Sequence, residues 1–373
     1  MRRNLRILMD AEAGGRFWPY TLDLALGLSR LGHETFLAVM GSAPTPLQRA
    51  DAARVPGLTL VETGLAAGTG ASAAASLAPL AEALAGLADE VEADILHLNS
   101  PALAALADFG LPVVAAQHGC VATWWEAVHG GELPADLAWR ADQVRAGLHS
   151  ADIVVAPTTA FAASVQRRYA LSATPRAVHY GRRPVAPARE FPRDFVFTAG
   201  RLWDPGKNLQ MLDAAAAELG VPVKAAGPVA RPGGREVLFD NIECLGSLAE
   251  EELRGWLAAR PVFVSTALYE PFGLSVLEAA AAGCPLILSD IPAFRELWDD
   301  VAIFVEPDDE PGFTRAIANL VADDFERAVL GRAARERALR YAPDAAAAQM
   351  AAIYRSLLPA VMGPVLAAAR EAA

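Results

Sequence analysis

Lysine is nearly missing from this 373-residue chain: Lys207 and Lys224 stand against thirty arginines. Where arginine is the default cation, a retained lysine suggests a need for a compact ammonium, with chance retention as the plain alternative for each. Cysteine is scarce as well. Cys120, Cys244 and Cys284 are odd in number and widely spaced, which excludes a disulfide framework and a zinc-ligand pattern and suits a reducing, cytoplasmic setting. No run of roughly 20 apolar residues occurs, so no membrane span is expected. The start, MRRNLRILMD, has an apolar run broken by Arg6 and Asp10 and reads as a strand rather than a signal peptide. Excess positive charge is also lacking. A net charge of −12 argues against nucleic-acid binding through a broad basic surface. The six histidines show no H-x3-H or comparable metal spacing. No G-x-S-x-G elbow appears, and G-x-G-x-x-G fails because Arg16-Phe17-Trp18 follows Gly14-Gly15, which weakens a nicotinamide dehydrogenase reading.

What remains is a globular composition, 53% hydrophobic and 20% charged, in a chain long enough for two domains. Short apolar runs alternate with helical periodicity. Strands are expected at Leu5–Asp10, Thr35–Met40, Leu58–Glu62, Asp94–Asn99, Pro112–His118 and Asp152–Ala156, with helices at Pro19–Leu31, 75–90 and 136–149. The segment 182–193 holds three prolines without periodicity and reads as a linker. A second alternation follows, with strands at Phe195–Ala199, Val221–Ala226, Ile242–Leu245, Val262–Ser265, Pro285–Ser289 and Ala302–Val305 and helices at 208–218, 249–258 and 274–282. Such alternation implies right-handed βαβ units and mainly parallel sheets. The expected architecture is therefore α/β, with two doubly wound Rossmann-like domains whose strand ends face a common cleft. The boundaries read as 1–185, 186–345 and a closing helical segment 346–373 that packs back toward the first domain. Residues 1–185 carry a net −3 and the remainder −9; ordinary variation is the plain reading of so modest an asymmetry, and a first domain better suited to meet an anionic surface is the alternative.

Three segments carry candidate chemistry. In Thr266–Gly283, TALYEPFGLSVLEAAAAG, a strand ends, Pro271 and Gly273 turn the chain, and a helix begins near Leu274. Its first amides suit a phosphate. Glu270 and Glu278, eight residues apart, offer carboxylates for the hydroxyls of a sugar or ribose diol; a solvated helix position is the plain alternative for Glu278. In FTAGRLWDPGKNL, Arg201 and Lys207 flank a turn that opens a helix, an anion site suited to a diphosphate. The competing reading pairs Arg201 with Asp204. A phosphate-loop NTPase fits poorly, because five residues separate Gly200 from Gly206 and Asn208 stands where a magnesium-binding hydroxyl belongs. In the first half, Gly15 permits close backbone approach after the first strand. His118 ends the strand PVVAAQH at the expected cleft. His97 holds a similar place but reads as a core histidine, and the pair Trp124-Trp125 reads as packing rather than sugar stacking.

At these residues the chain resembles the retaining glycosyltransferases of family 4, the group 1 class with GT-B architecture. YEPFGLSVLEAAAAGCPLILSD resembles that family's Glu-x7-Glu signature and following strand. GRLWDPGKN resembles its diphosphate loop with one extra residue, GGRFWPYTLDLALGLSRLGHE its glycine loop and first helix, and ADIVVAPTTAF the segment before the domain junction. The resemblance implies that Arg201 and Lys207 neutralise the diphosphate, that Glu270 holds donor-sugar hydroxyls and Glu278 the ribose, and that the amides of Phe272, Gly273, Leu274 and Ser275 line sugar and phosphates. It places Gly15 against the phosphate and His118 beside the transferred sugar, where it counts with Arg201 and Lys207 among the catalytic residues. It implies a nucleotide-sugar donor, a glycan or lipid-linked acceptor, no separate cofactor, no metal, and possible contact with the inner face of the membrane. His179-Tyr180-Gly181 stands where the family often has Pro-Asn-Gly, so no role is carried to that loop. A sugar-nucleotide epimerase or phosphorylase of the same fold, and a non-catalytic sugar-nucleotide binder, are the competing functions.

Overall fold

The structure, a computed structural model, describes residues 4–14, 17–65, 73–183, 194–231 and 233–358. The first half contains β1 (Arg6–Glu12), α1 (Trp18–Arg30), β2 (Glu34–Met40), α2 (Pro46–Ala53), β3 (Leu58–Glu62), α3 (Ala73–Glu90), β4 (Ile95–Leu98), β5 (Val113–Ala116), α4 (Val121–Val128), α5 (Ala135–Ser150), β6 (Ile153–Ala156), α6 (Thr159–Tyr169) and β7 (Arg176–Ala177). The second contains β8 (Val196–Ala199), α7 (Leu209–Ala216), β9 (Val223–Ala226), β10 (Ile242–Cys244), α8 (Glu250–Ala258), β11 (Val262–Ser265), α9 (Leu274–Ala282), β12 (Leu286–Ser289), α10 (Pro292–Trp298), β13 (Ile303–Val305), α11 (Glu310–Ala322), α12 (Asp324–Ala338) and α13 (Pro343–Leu357).

Each half forms one parallel sheet, in the orders β3-β2-β1-β4-β5-β6-β7 and β10-β9-β8-β11-β12-β13. Helices cover both faces, so the strands are buried on both sides and read as unbroken apolar runs. β5 and β12 are buried along their whole length. In both sheets the winding direction reverses beside the first strand, between β1 and β4 and between β8 and β11. Ligand crevices in doubly wound sheets open beyond the carboxyl ends at that reversal. The segments after β1, β4, β8 and β11 are therefore the ones the topology brings forward.

Several elements were not legible from periodicity. α2 is set by a capping box: the Thr45 hydroxyl accepts from Gln48 N at 3.2 Å, and Gln48 Oε1 accepts from Thr45 N at 2.9 Å. α4, read as a Trp-containing segment, begins where Cys120 Sγ accepts from the Thr123 amide at 3.4 Å. The helix expected from 208 begins at Leu209, because Asn208 takes a left-handed conformation with φ of 55°. His118 lies two residues past β5 rather than in it, and His97 lies inside β4.

α13 packs along α1, where Leu24 and Leu28 share a core with Met350, Ala351 and Tyr354. The Tyr354 hydroxyl bonds His97 Nδ1 at 2.7 Å, and the histidine is fully buried. Burial pushes His97 down to about 4. The unfolded histidine keeps its ordinary value near 6.5. Between those values the unfolded chain takes up a proton that the folded chain refuses, so this contribution is present above about pH 6.5 and is lost as pH falls toward 4. Between pH 7 and pH 4 the wild type is expected to lose on the order of 3 kcal/mol more than His97→Gln. Parallel stability profiles for the two proteins, measured by denaturant unfolding, would contradict this.

The turn after β8 is hemmed in by β9. A Cβ at Gly227 would stand 1.7 Å from the Gly200 carbonyl oxygen, whereas one at Gly220 meets open space. Gly227→Ala is expected to destabilise by about 1–3 kcal/mol, and Gly220→Ala to stay within about 0.5 kcal/mol. Equal unfolding midpoints for the two variants would show that the approach is not tight.

Candidate active site

The turn after β8 carries Arg201 and Lys207. Asp204 organises it: its carboxylate accepts from the Gly206 amide at 2.9 Å and from the Arg201 guanidinium, through Nε at 3.1 Å and through Nη2. It accepts a further bond at 2.9 Å from the Trp124 indole N–H of α4, in the other half of the molecule. Burial alone would raise the Asp204 carboxyl, but the Arg201, Gly206 and Trp124 donors outweigh it and hold the group below its ordinary range. Lys207 ends a short 3₁₀ turn, Pro205–Lys207, instead of opening the helix as the sequence suggested. Asn208 tolerates the left-handed conformation that follows and donates to the Pro307 carbonyl at 3.0 Å.

The segment after β11 is stapled to this turn. The Thr266 hydroxyl donates to the carbonyls of Lys207 and Asn208 at 2.9 and 3.1 Å, and the Leu268 amide donates to Gly206 O at 2.9 Å. This brings Glu270 onto Lys207, across 63 residues of sequence, with Nζ–Oε2 at 2.5 Å. Both side chains are less than one-fifth exposed. Gly273, with φ of 90°, turns the chain into α9, a left-handed conformation that glycine adopts without a Cβ clash. The amides of Leu274 and Ser275 sit in the first turn of α9, where an α-helix supplies no internal partner. The Phe272 side chain is buried against Tyr180, with ring centroids 4.8 Å apart.

His118 follows β5. Its Nε2 lies 2.7 Å from Asn99 Oδ1 and its Nδ1 lies 2.5 Å from the Tyr180 hydroxyl. Asn99 Nδ2 donates to the Asp10 carbonyl at 2.7 Å, which orients the amide with its oxygen toward His118. An amide oxygen only accepts, so the neutral ring carries its proton on Nε2 and accepts from Tyr180 at Nδ1. Phe17 stacks on the ring at 4.1 Å. Asn99 and Ser100 amides also bond Asp10 Oδ1, at 2.6 and 3.4 Å. Burial pushes this carboxyl up to about 6.

Glu278, one turn into α9, bonds Arg182 through Nε at 2.9 Å and Nη2 at 2.6 Å. The structure thus joins Lys207 to Glu270, Arg201 to Asp204 and Glu278 to Arg182, giving each of the four expected charges an internal partner. Gly15 lies outside the described residues. Among the described residues, no group of three or more His, Cys, Asp or Glu is arranged to hold a metal ion, and no helix is long and apolar enough to cross a membrane. Sequence reasoning passed over Asn99, Tyr180 and Arg182, and it read Trp124 as packing where its indole N–H bridges the halves. The available signals were the polar residue closing DILHLN and the arginine doublet Arg182-Arg183 in a segment taken for linker.

Comparison with known proteins follows the same division. The profile described as glycosyltransferase family 4 matches residues 19–182, and that described as glycosyl transferases group 1 matches residues 193–323. The O-antigen chain mannosyltransferase RfbU of Salmonella typhimurium is 35% identical over 83 residues, 22% of this chain and 24% of that one. The match thus spans about a quarter of that relative. The phosphatidyl-myo-inositol mannosyltransferase of Mycolicibacterium smegmatis is 26% identical over 297 residues, 72% of each chain. Among solved structures, the sucrose-phosphate synthase of Thermosynechococcus elongatus superposes with a TM-score of 0.78 at 22% identity, over 95% of this chain and 99% of that one. Anabaena HepE, in complex with UDP and glucose, superposes with a TM-score of 0.72 at 17% identity, over 95% and 100%. These likenesses show the fold, two facing α/β domains of the GT-B kind. With the profile matches on both halves, they place this chain in the group 1 glycosyltransferases, of the family 4 type.

Proposed function

We propose that the protein moves a hexosyl group, with retention of configuration, from a nucleoside-diphosphate sugar to a glycan or lipid-linked acceptor. The observation that carries this reading is the Lys207–Glu270 pair, which ties the turn that carries Arg201 to the segment leading into α9. Cleaving the bond between the anomeric carbon and the diphosphate builds negative charge on the leaving group. Lys207, the remaining guanidinium donors of Arg201 and the α9 amides are the groups that would receive it, and preorganised charge of this kind is often the largest catalytic term. These groups supply neutralisation without a divalent ion. Glu270 then accepts hydroxyls of the sugar whose phosphate its lysine partner holds.

Retention follows if the acceptor oxygen enters on the face from which the diphosphate leaves. The C1–O(phosphate) bond breaks, the C1–O(acceptor) bond forms, and the acceptor proton passes to a diphosphate oxygen. His118 serves as a fixed wall of the sugar site, because both its ring nitrogens are committed to Asn99 and Tyr180. Relatives named as mannosyltransferases favour a hexosyl donor, and those named for O-antigen and phosphatidyl-myo-inositol favour a glycan or lipid-linked acceptor. A lipid-linked acceptor would bring the first half against the cytoplasmic face of the membrane.

Lys207→Ala is expected to lower kcat by about 10²–10³-fold, with the unfolding midpoint recorded alongside. Turnover at the wild-type rate would remove the lysine from the mechanism. A thermal-shift screen of nucleotide sugars should show one donor stabilising the protein, by about 2.7 kcal/mol at a hundredfold excess over Kd. Label from that donor should then appear on a second molecule. Label retained on the nucleotide with altered stereochemistry would point to an epimerase, and intact donor with every acceptor to a binder alone.

A further inference from the structure

Among the described residues, Arg182 is the cation that reaches the most carboxylates. Its side chain is 12% exposed and reaches three carboxylates on three helices: Asp23 of α1 at 2.9 Å, Glu278 of α9 at 2.6 Å and Glu250 of α8 at 3.1 Å. Its backbone is anchored too, since the Arg182 amide donates to the Tyr341 carbonyl at 3.1 Å. Just before it, a Cβ at Gly181 would stand 2.4 Å from Ala342 and Pro343 backbone atoms. The guanidinium therefore starts from a fixed point. Arg183 and Arg254 share the load, on Asp23 and Glu250 respectively, so three cations answer three carboxylates and Glu278 is not surplus charge.

The geometry at Glu278 is asymmetric. Arg182 Nε and Nη2 both donate to Oε1, at 2.9 and 2.6 Å, while Nη1 goes to Asp23 at 2.9 Å. A carboxylate has about four acceptor sites on two oxygens, and this arrangement leaves Oε2 for another donor. We infer that Arg182 is a positioning residue for nucleotide recognition: it clamps Oε1 of Glu278 so that Oε2 is presented to the ribose diol of the donor. The inference rests on the proposed nucleotide-sugar reading and names the residue that gives it ribose specificity. A freely rotating glutamate would lose rotamer freedom on binding; a clamped one meets the diol already oriented. A planar guanidinium fixes an oxygen through two N–H groups at once, which a lysine ammonium on a flexible stem does not reproduce.

The test is calorimetric binding of UDP, GDP and ADP, each beside its 2′-deoxy counterpart, to wild type, Arg182→Lys and Arg182→Ala, with unfolding midpoints recorded. Wild type is expected to bind one ribonucleotide about 10- to 100-fold more tightly than its deoxy form, the range of a hydrogen bond to a charged group. In both variants that ratio should fall to within about threefold, through loss of ribonucleotide affinity. If Arg182→Ala does not fold, Arg182→Lys answers alone, because it keeps the charge and removes the two-donor clamp. Variants that keep the wild-type ratio would make Arg182 a purely structural ion-pair partner and overturn the inference. Wild type that binds a ribonucleotide and its deoxy form equally would overturn it while leaving the donor reading standing. Wild type that binds none of the six would sink the donor reading and the inference with it.

Discussion

A single carboxylate, that of Asp204, holds the proposed reaction centre in shape. It ties together the Arg201 guanidinium, the Gly206 amide and, across the cleft, the Trp124 indole of α4. Being buried, it would be costly without these donors; with them it is a fixed negative point around which the turn closes. Lys207 is thereby delivered to Glu270, and Thr266 and Leu268 lock the neighbouring segment onto the same turn. Sequence reading set a structural pairing of Arg201 with Asp204 against a functional role for Arg201. The geometry makes them compatible, because two of the five guanidinium donors go to Asp204 and the others remain.

The halves meet through specific bonds rather than a broad apolar face alone. Glu296 of α10 accepts from the amides of Thr159 and Ala160 at the start of α6, each at 2.8 Å, and pairs with His179 at 3.0 Å. These donors hold it below its ordinary range although burial would raise it. The Thr158 hydroxyl donates to Pro271 O at 2.9 Å, and the Tyr269 hydroxyl lies 2.9 Å from that of Thr123. Both contacts fall on the loop that carries Glu270. The loop that carries Glu270 is thus held from both domains, which suits chemistry that must exclude water.

Much of the architecture was legible because parallel strands buried on both faces are short apolar runs, and their alternation with helical periodicity admits few folds. The segment TALYEPFGLSVLEAAAAG was legible for a different reason: its glycine turn and carboxylates violate the apolar pattern around them. The left-handed Asn208 was not, because backbone conformation at one residue leaves little trace in periodicity, and α2 shows itself in the Thr45–Gln48 spacing of its capping box rather than in any apolar period. Arg182 was hidden by proline-rich neighbours, which suggested linker; its anchoring comes from Tyr341, far along the chain. The Asn99–His118–Tyr180 series was invisible for the same reason, since its members come from three separated segments. Tertiary partners decide such roles, and one sequence does not display them.

Lys207 is paired with Glu270, so a donor diphosphate must join that lysine while the Arg201–Asp204 and Arg182–Glu278 pairs stay in place. The most direct measurement is a crystal structure with a nucleoside diphosphate sugar bound. Diphosphate oxygens are expected within hydrogen-bond distance of Lys207 Nζ and the first amides of α9, with ribose hydroxyls on Glu278. A diphosphate seated elsewhere, with Lys207 still paired only to Glu270, would contradict this.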